Sequence, residues 1–113
     1  MIMTLVFRAV DRARFEEVRS GVKVVETRAA TPKYQSINVG DEIKFSCGGD
    51  TFSKKVIKKY HWPTIGAMLA EIPLKSAFPD LETVEQVRTR YASYPGYEEK
   101  IKEFGIVGFE LGE

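Results

Sequence analysis

One cysteine in 113 residues is too few for a disulfide framework or a cysteine-cluster metal site. That residue, Cys47, sits in an alternating apolar stretch and is expected to be a reduced core thiol. A surplus of charge is also missing: 17 lysines and arginines face 16 aspartates and glutamates, a formal net charge of +1. The whole molecule therefore exerts no long-range pull on a polyanion, and any affinity for nucleic acid must come from a local patch. Long apolar runs are absent too. The segment Met1 to Val10 is interrupted by Arg8 and followed by Asp11, Arg12 and Arg14, so it lacks the core of a signal peptide. No stretch approaches membrane-spanning length, and a cytoplasmic protein without a membrane partner is the expectation. The sequence holds no clustered metal-ligand motif, so neither a metal nor another cofactor is expected.

What remains is the composition of an ordinary globular protein, 43% hydrophobic and 29% charged, at a length that suits one domain spanning residues 1–113. Residues 4 to 10 alternate as a strand with Leu5, Phe7 and Ala9 on one side. Phe15 and Val18 then keep helical spacing from Arg12 to Ser20, with Gly21 as a left-handed stop. Val22 to Ala30 is rich in β-branched residues and predicts a second strand, and 31–37 predicts a turn or one-turn helix. Ile43, Phe45 and Cys47 alternate ahead of Gly48-Gly49-Asp50, whose glycines supply the positive φ of a tight hairpin, and 51–60 returns. Ile65, Met68, Leu69 and Ile72 form a helical stripe that Pro73 ends. Thr83 and Gln86 make a capping-box pattern for a helix whose Val84, Val87 and Tyr91 face inward. A third helix runs through Tyr97, Ile101 and Phe104 to Gly105, and the last strand is 106–111. The order β-α-β, turn, hairpin, three helices, β predicts an α+β fold, a small, strongly curved β-barrel of about five strands with flanking helices.

The segment Gly21-Val22-Lys23-Val24-Val25-Glu26-Thr27-Arg28 places three charges in an apolar strand. Alternation sets Val24, Glu26 and Arg28 on one face and Val25 and Thr27 on the other, with Lys23 at the strand's mouth. Spacing leaves two readings open: a salt bridge on an exposed sheet face, worth little, or a charged cleft in which each group must find a partner or ligand. The charges are expected to be partly exposed, so that removing Lys23 or Arg28 leaves the fold intact. Elsewhere, Lys54, Lys55, Lys58 and Lys59 form a basic strip, read as lysines guarding an edge strand in preference to a phosphate track. His61 is read as a loop or cap residue, and Tyr60, His61 and Trp62 together as a cluster able to stack on a base only if exposed. Tyr91 is expected in the core and Tyr94 in a cleft wall.

The pattern Gly-x-Lys-x-x-Glu-x-Arg at Gly21, Lys23, Glu26 and Arg28 resembles the signature of the ASCH domain family, whose fold is PUA-like. Gly40-Asp41-Glu42-Ile43, Thr64 to Leu69 and Gly105-Ile106-Val107-Gly108-Phe109 resemble later parts of that family in the right order, so the resemblance covers nearly the whole chain. It implies binding of RNA or a modified nucleoside in a charged cleft beside the barrel, with Arg28 offering a planar fork, Lys23 a mobile point charge and Glu26 orienting both. Tyr94 would complete the ligand-binding set. Some members resemble an amidohydrolase acting on N4-acylated cytidine nucleosides through the motif lysine, a threonine and a glutamate. Lys23 and Glu26 would be catalytic in that case, but Glu26 stands where those enzymes carry threonine, so hydrolysis is the alternative expectation. A few members resemble metal-dependent ribonucleases.

Overall fold

The computed structural model describes residues 2–112. Its strands are β1 (Ile2–Phe7), β2 (Val25–Ala29), β3 (Glu42–Cys47), β4 (Asp50–Trp62) and β5 (Ile106–Gly112). Its helices are α1 (Arg12–Ser20), α2 (Pro32–Gln35), α3 (Ile65–Glu71), α4 (Leu74–Ala77), α5 (Val84–Ala92) and α6 (Tyr97–Phe104), with a 3-10 turn at Ala9–Asp11. The five strands form one sheet in the order β1-β3-β4-β5-β2, with β1 parallel to β3 and every other pair antiparallel. The sheet curls into a half-barrel, the α+β, PUA-like arrangement with flanking helices. Strands β1 and β2 are its two ends and do not pair with each other, so an open seam runs between them.

Two apolar clusters fix this shape. The first fills the inside of the curl with Leu5, Phe45, Val56 and Phe109, and Phe15 and Val18 of α1 plug it. The second packs Trp62, Met68, Phe78, Val87 and Tyr91 under the helices against the opposite face. Strand β5 serves both: Val107 and Phe109 point into the first cluster, while Ile106 joins the second. Register carries that division to β2, where Glu26 lies beside Phe109 and Arg28 beside Val107. Two charges thus occupy the inner, apolar face of the barrel.

Local signals in the sequence account for many boundaries. Gly21 ends α1 at φ 85°, a conformation that would strain a residue with a Cβ. Thr83 accepts from the Gln86 N–H while the Gln86 side chain returns to the Thr83 N–H, so α5 begins with the capping box its sequence predicts. Cys47 is a free, buried thiol, as expected.

Other expectations are corrected. Strand β1 stops at Phe7, and Ala9, expected on its inner side, is exposed in the 3-10 turn. Strand β2 begins only at Val25, so Val24 lies outside it with an exposed side chain. Of the hairpin glycines only Gly48 takes positive φ. Strand β4 runs on to Trp62, placing His61 in a strand and not a loop. Helix α4 follows Pro73, giving four helices between the hairpin and β5 instead of three. Val84 is exposed, because α5 turns Val87 and Tyr91 inward and leaves its first residue at the rim. Strand β4 lies between β3 and β5, so its lysines guard no edge.

Candidate functional site

The sequence around Lys23 places its side chain with few degrees of freedom. After the Gly21 turn, the Lys23 N–H donates to the Glu17 carbonyl of α1 at 2.9 Å, and the Val24 N–H donates to the Ser76 carbonyl of α4 at 2.9 Å. The link between α1 and β2 is held from both sides, and the lysine turns inward. Its Nζ lies 2.8 Å from Glu26 Oε1, and Arg28 Nη2 lies 3.1 Å from Glu26 Oε2. Relative exposures of 7%, 2% and 18% for the side chains of Lys23, Glu26 and Arg28 show that this is a desolvated triad. A flat, exposed salt bridge is excluded. The expectation of partly exposed charges therefore holds for Arg28 alone.

Electrostatics follow from that burial. Desolvation alone would push the Glu26 carboxyl up, but the charges of Lys23 and Arg28 and the hydrogen bonds they donate outweigh it and hold its pKa below the ordinary value. Glu26 is a firmly ionised carboxylate. Arg28 is subject to the same opposition: burial disfavours its charge, while Glu26 more than restores it. The Arg28 guanidinium is fixed between two rings, 5.2 Å from the Phe7 centroid and 5.6 Å from that of Tyr34. The fork makes one hydrogen bond, from Nη2 to Glu26, so among the described residues Nε and Nη1 donate to no protein group. Lys23 likewise spends one of its three N–H donors on Glu26.

These spare donors face a cavity of about 240 Å³ in the seam, lined by Phe7 and Arg8 from β1 and its end, by Lys23, Glu26, Thr27 and Arg28 from β2 and the residues before it, and by Tyr91, Tyr94 and Tyr97 from the helices. Residues from opposite ends of the sheet share it only because the sheet curls. Five basic side chains (Arg8, Arg14, Lys23, Arg28 and Arg90) and two acidic ones (Asp11 and Glu26) line it, a surplus of three in a chain whose total is +1. The outer arginines are neutralised by neighbours. Arg8 pairs with Asp11 at 2.7 Å, Arg14 with Glu17 at 2.8 Å, and Arg90 with Asp80 at 2.5 Å. Uncompensated charge remains at the floor, where two cations share one carboxylate.

The aromatic walls are rigid. Tyr91 is buried, its hydroxyl 2.6 Å from Thr27 Oγ1, and burial pushes its pKa up. Tyr94 is half-buried and lines the cavity, as its place beside a helix end predicts. It meets Tyr97 edge to face at 5.2 Å, and burial raises the pKa of both.

Lys23, Glu26, Arg28 and Tyr94 are thus brought together. Sequence reasoning missed Phe7, Thr27, Tyr34 and the outer arginines, which carry no motif and meet the site only through folding. The other candidates lie elsewhere. Trp62 is buried, donates from Nε1 to Glu71 at 2.6 Å and stacks on Tyr60 at 5.0 Å, so that pair is core and not a stacking platform. The His61 ring is 2.9 Å from the Phe104 carbonyl on the surface. Lys54 is buried, Lys55 and Lys58 are exposed, and Lys59 donates to the Gln35 carbonyl at 2.6 Å. A register shift between Val56 and Lys58 separates them further, and none lines the cavity. Among the described residues no group of three or more His, Cys, Asp or Glu could hold a metal ion, and no helix is long and apolar enough to cross a membrane.

No family model matches the chain, and no curated protein matches it. Two solved structures share its fold over nearly their whole length. The hypothetical protein PH0355, known from a crystal structure, has a TM-score of 0.82 and 25% identity, covering 98% of this chain and 97% of its own. Protein PF0455 from Pyrococcus furiosus, known from solution NMR, has a TM-score of 0.71 and 25% identity, covering 97% of this chain and 93% of its own. The chain is similar to both from end to end, and the half-barrel with its helices is the architecture they have in common.

Proposed function

We propose that this protein recognises RNA or a modified nucleoside by taking one base-sized group into the seam cavity. The observation that carries this reading is the buried Lys23–Glu26–Arg28 triad, which has more cation than anion and more donors than acceptors. A desolvated surplus of donors is costly unless something acceptor-rich meets it. At about 240 Å³ the cavity lies just under the roughly 300–1,000 Å³ of sites for drug-sized ligands, which fits one base with its sugar and not a stacked pair. Its aromatic walls suit a planar ring, and single-stranded RNA offers unstacked bases. The ASCH resemblance implies the same class of ligand.

Hydrolysis of an N4-acylated cytidine ranks second. A carboxylate clamped by two cations and kept ionised is a weak proton acceptor. Thr27 does not supply the threonine missing at position 26, because its hydroxyl lies on the other face of β2, bound to Tyr91. The test is binding of single-stranded RNA and of nucleoside monophosphates to the wild type, Lys23→Met and Arg28→Lys, over a range of salt concentrations. Both variants are expected to bind about tenfold weaker or worse, with an affinity that falls as salt rises. Undiminished affinity in both variants refutes the site.

A further inference from the structure

Strand β2 is an end strand, and the phase of its ladder shows which of its main-chain groups lack a sheet partner. Leu111 donates its N–H to the Val24 carbonyl, and Ala30 donates its own to the Gly105 carbonyl, both at 2.9 Å. Since Val25 pairs with Glu110 and Ala29 with Ile106, the even-numbered residues of β2 bond toward β5. The N–H and C=O groups of Val25, Thr27 and Ala29 therefore point to the free edge. At Ala29 the carbonyl accepts from the Thr31 N–H at 2.8 Å, and the Tyr97 hydroxyl lies near the N–H. Among the described residues the Val25 groups have no hydrogen-bond partner either, but Val25 lies next to the junction with α4, where Val24 bonds Ser76, and does not line the seam cavity. The amide of Thr27 differs in bordering that cavity. Among the described residues no protein group hydrogen-bonds its N–H or its C=O, although the residue is only 7% exposed. Buried main-chain groups are almost always satisfied, so an open donor and acceptor at this depth ask for a ligand.

The seam cavity abuts this edge. Glu26, Thr27 and Arg28 all line it, yet their side chains alternate between the two faces of β2. A cavity that wraps the strand's edge accounts for three consecutive residues bordering it. The floor thus presents one main-chain donor and one main-chain acceptor side by side, flanked by the unspent donors of Lys23 and Arg28.

We infer that the Thr27 amide reads the pairing edge of a pyrimidine base, an inference that rests on the base-binding reading above and specifies it. The pairing edge of a pyrimidine carries one donor position and two acceptors: the donor and an acceptor beside it match the Thr27 C=O and N–H, and the second acceptor falls to Lys23 or Arg28. Uracil and cytosine both have this composition. Adenine lacks the second acceptor, and guanine brings a second donor to a floor already rich in donors.

The test compares uridine 5′-monophosphate with its N3-methyl derivative, which has lost the ring N–H and carries a methyl group on the edge itself. Affinities are measured calorimetrically on the wild-type protein, and the Thr27 amide is followed by 15N NMR and hydrogen exchange. The expected result is binding about tenfold weaker or worse for the methylated nucleotide, with a Thr27 amide that shifts and exchanges more slowly only when the unmethylated one is bound. Equal affinities that both vanish in Lys23→Met leave the pocket reading standing and overturn the edge-reading inference. An unperturbed Thr27 amide at saturation overturns it as well. If neither nucleotide binds at millimolar concentration, the base-binding reading itself falls, and this inference with it.

Discussion

Replacing Glu26 by glutamine removes the one anion between Lys23 and Arg28 and leaves two cations facing each other inside the barrel. The carboxylate is 2% exposed, with contacts of 2.8 and 3.1 Å to its partners. At an effective dielectric of about 20, each contact is worth roughly 5–6 kcal/mol before desolvation is subtracted. Breaking a buried pair by deleting one partner costs about 3–5 kcal/mol, mostly because of the charge left behind. For a domain of this size, about 4 °C of melting temperature goes with each kcal/mol, so Glu26→Gln should melt about 12–20 °C below the wild type. Lys23→Met reverses the arithmetic. It leaves the Glu26–Arg28 pair neutral and an apolar side chain beside Phe78, and its stability should stay within about 1 kcal/mol of the wild type. Urea titrations and thermal melts followed by circular dichroism at pH 7 measure both. If Glu26→Gln is as stable as the wild type, the triad is hydrated and the account of a desolvated floor is wrong.

Acid should destabilise the protein through the same carboxylate. The folded pKa of Glu26 is lowered from 4.5, so its contribution is complete above that value and is lost as pH falls through the lower folded pKa; urea midpoints from pH 7 to pH 3 should show an acid limb that is shallower in Glu26→Gln. Thr27→Val deletes the partner of the Tyr91 hydroxyl in a buried 2.6 Å contact and should cost about 1–3 kcal/mol, read from urea titrations. Gly108→Ala puts a Cβ 2.7 Å from the Trp62 ring and should cost about 1–3 kcal/mol with a shift in tryptophan emission; a wild-type melt would contradict the packing described. Pure protein incubated with N4-acetylcytidine should release no acetate above the uncatalysed rate, and turnover that disappears in Lys23→Met would put the amidohydrolase reading first.

Whatever depends on neighbours within a few residues was legible in the chain before folding. Gly21 ends α1, Thr83 and Gln86 open α5, and the apolar alternation of Ile43, Phe45 and Cys47 lays down β3, because capping and side-chain period act over one or two turns of chain. The core of the site was legible for the same reason: Lys23, Glu26 and Arg28 fall within six positions, close enough for strand geometry to bring them together. Tertiary structure alone decided what surrounds them. The rings of Phe7 and Tyr34 that fix Arg28, and the tyrosines of α5 and α6 that wall the cavity, come from segments whose approach is set by the curl of the sheet. Position in the sheet also overturned the reading of the lysines, since a strand's sequence does not say whether a neighbour lies on one side or on both. The same holds for Thr27. Its side chain reads as an ordinary strand residue, and only the phase of hydrogen bonds with β5, a strand some eighty residues away in sequence, turns its amide toward the open seam.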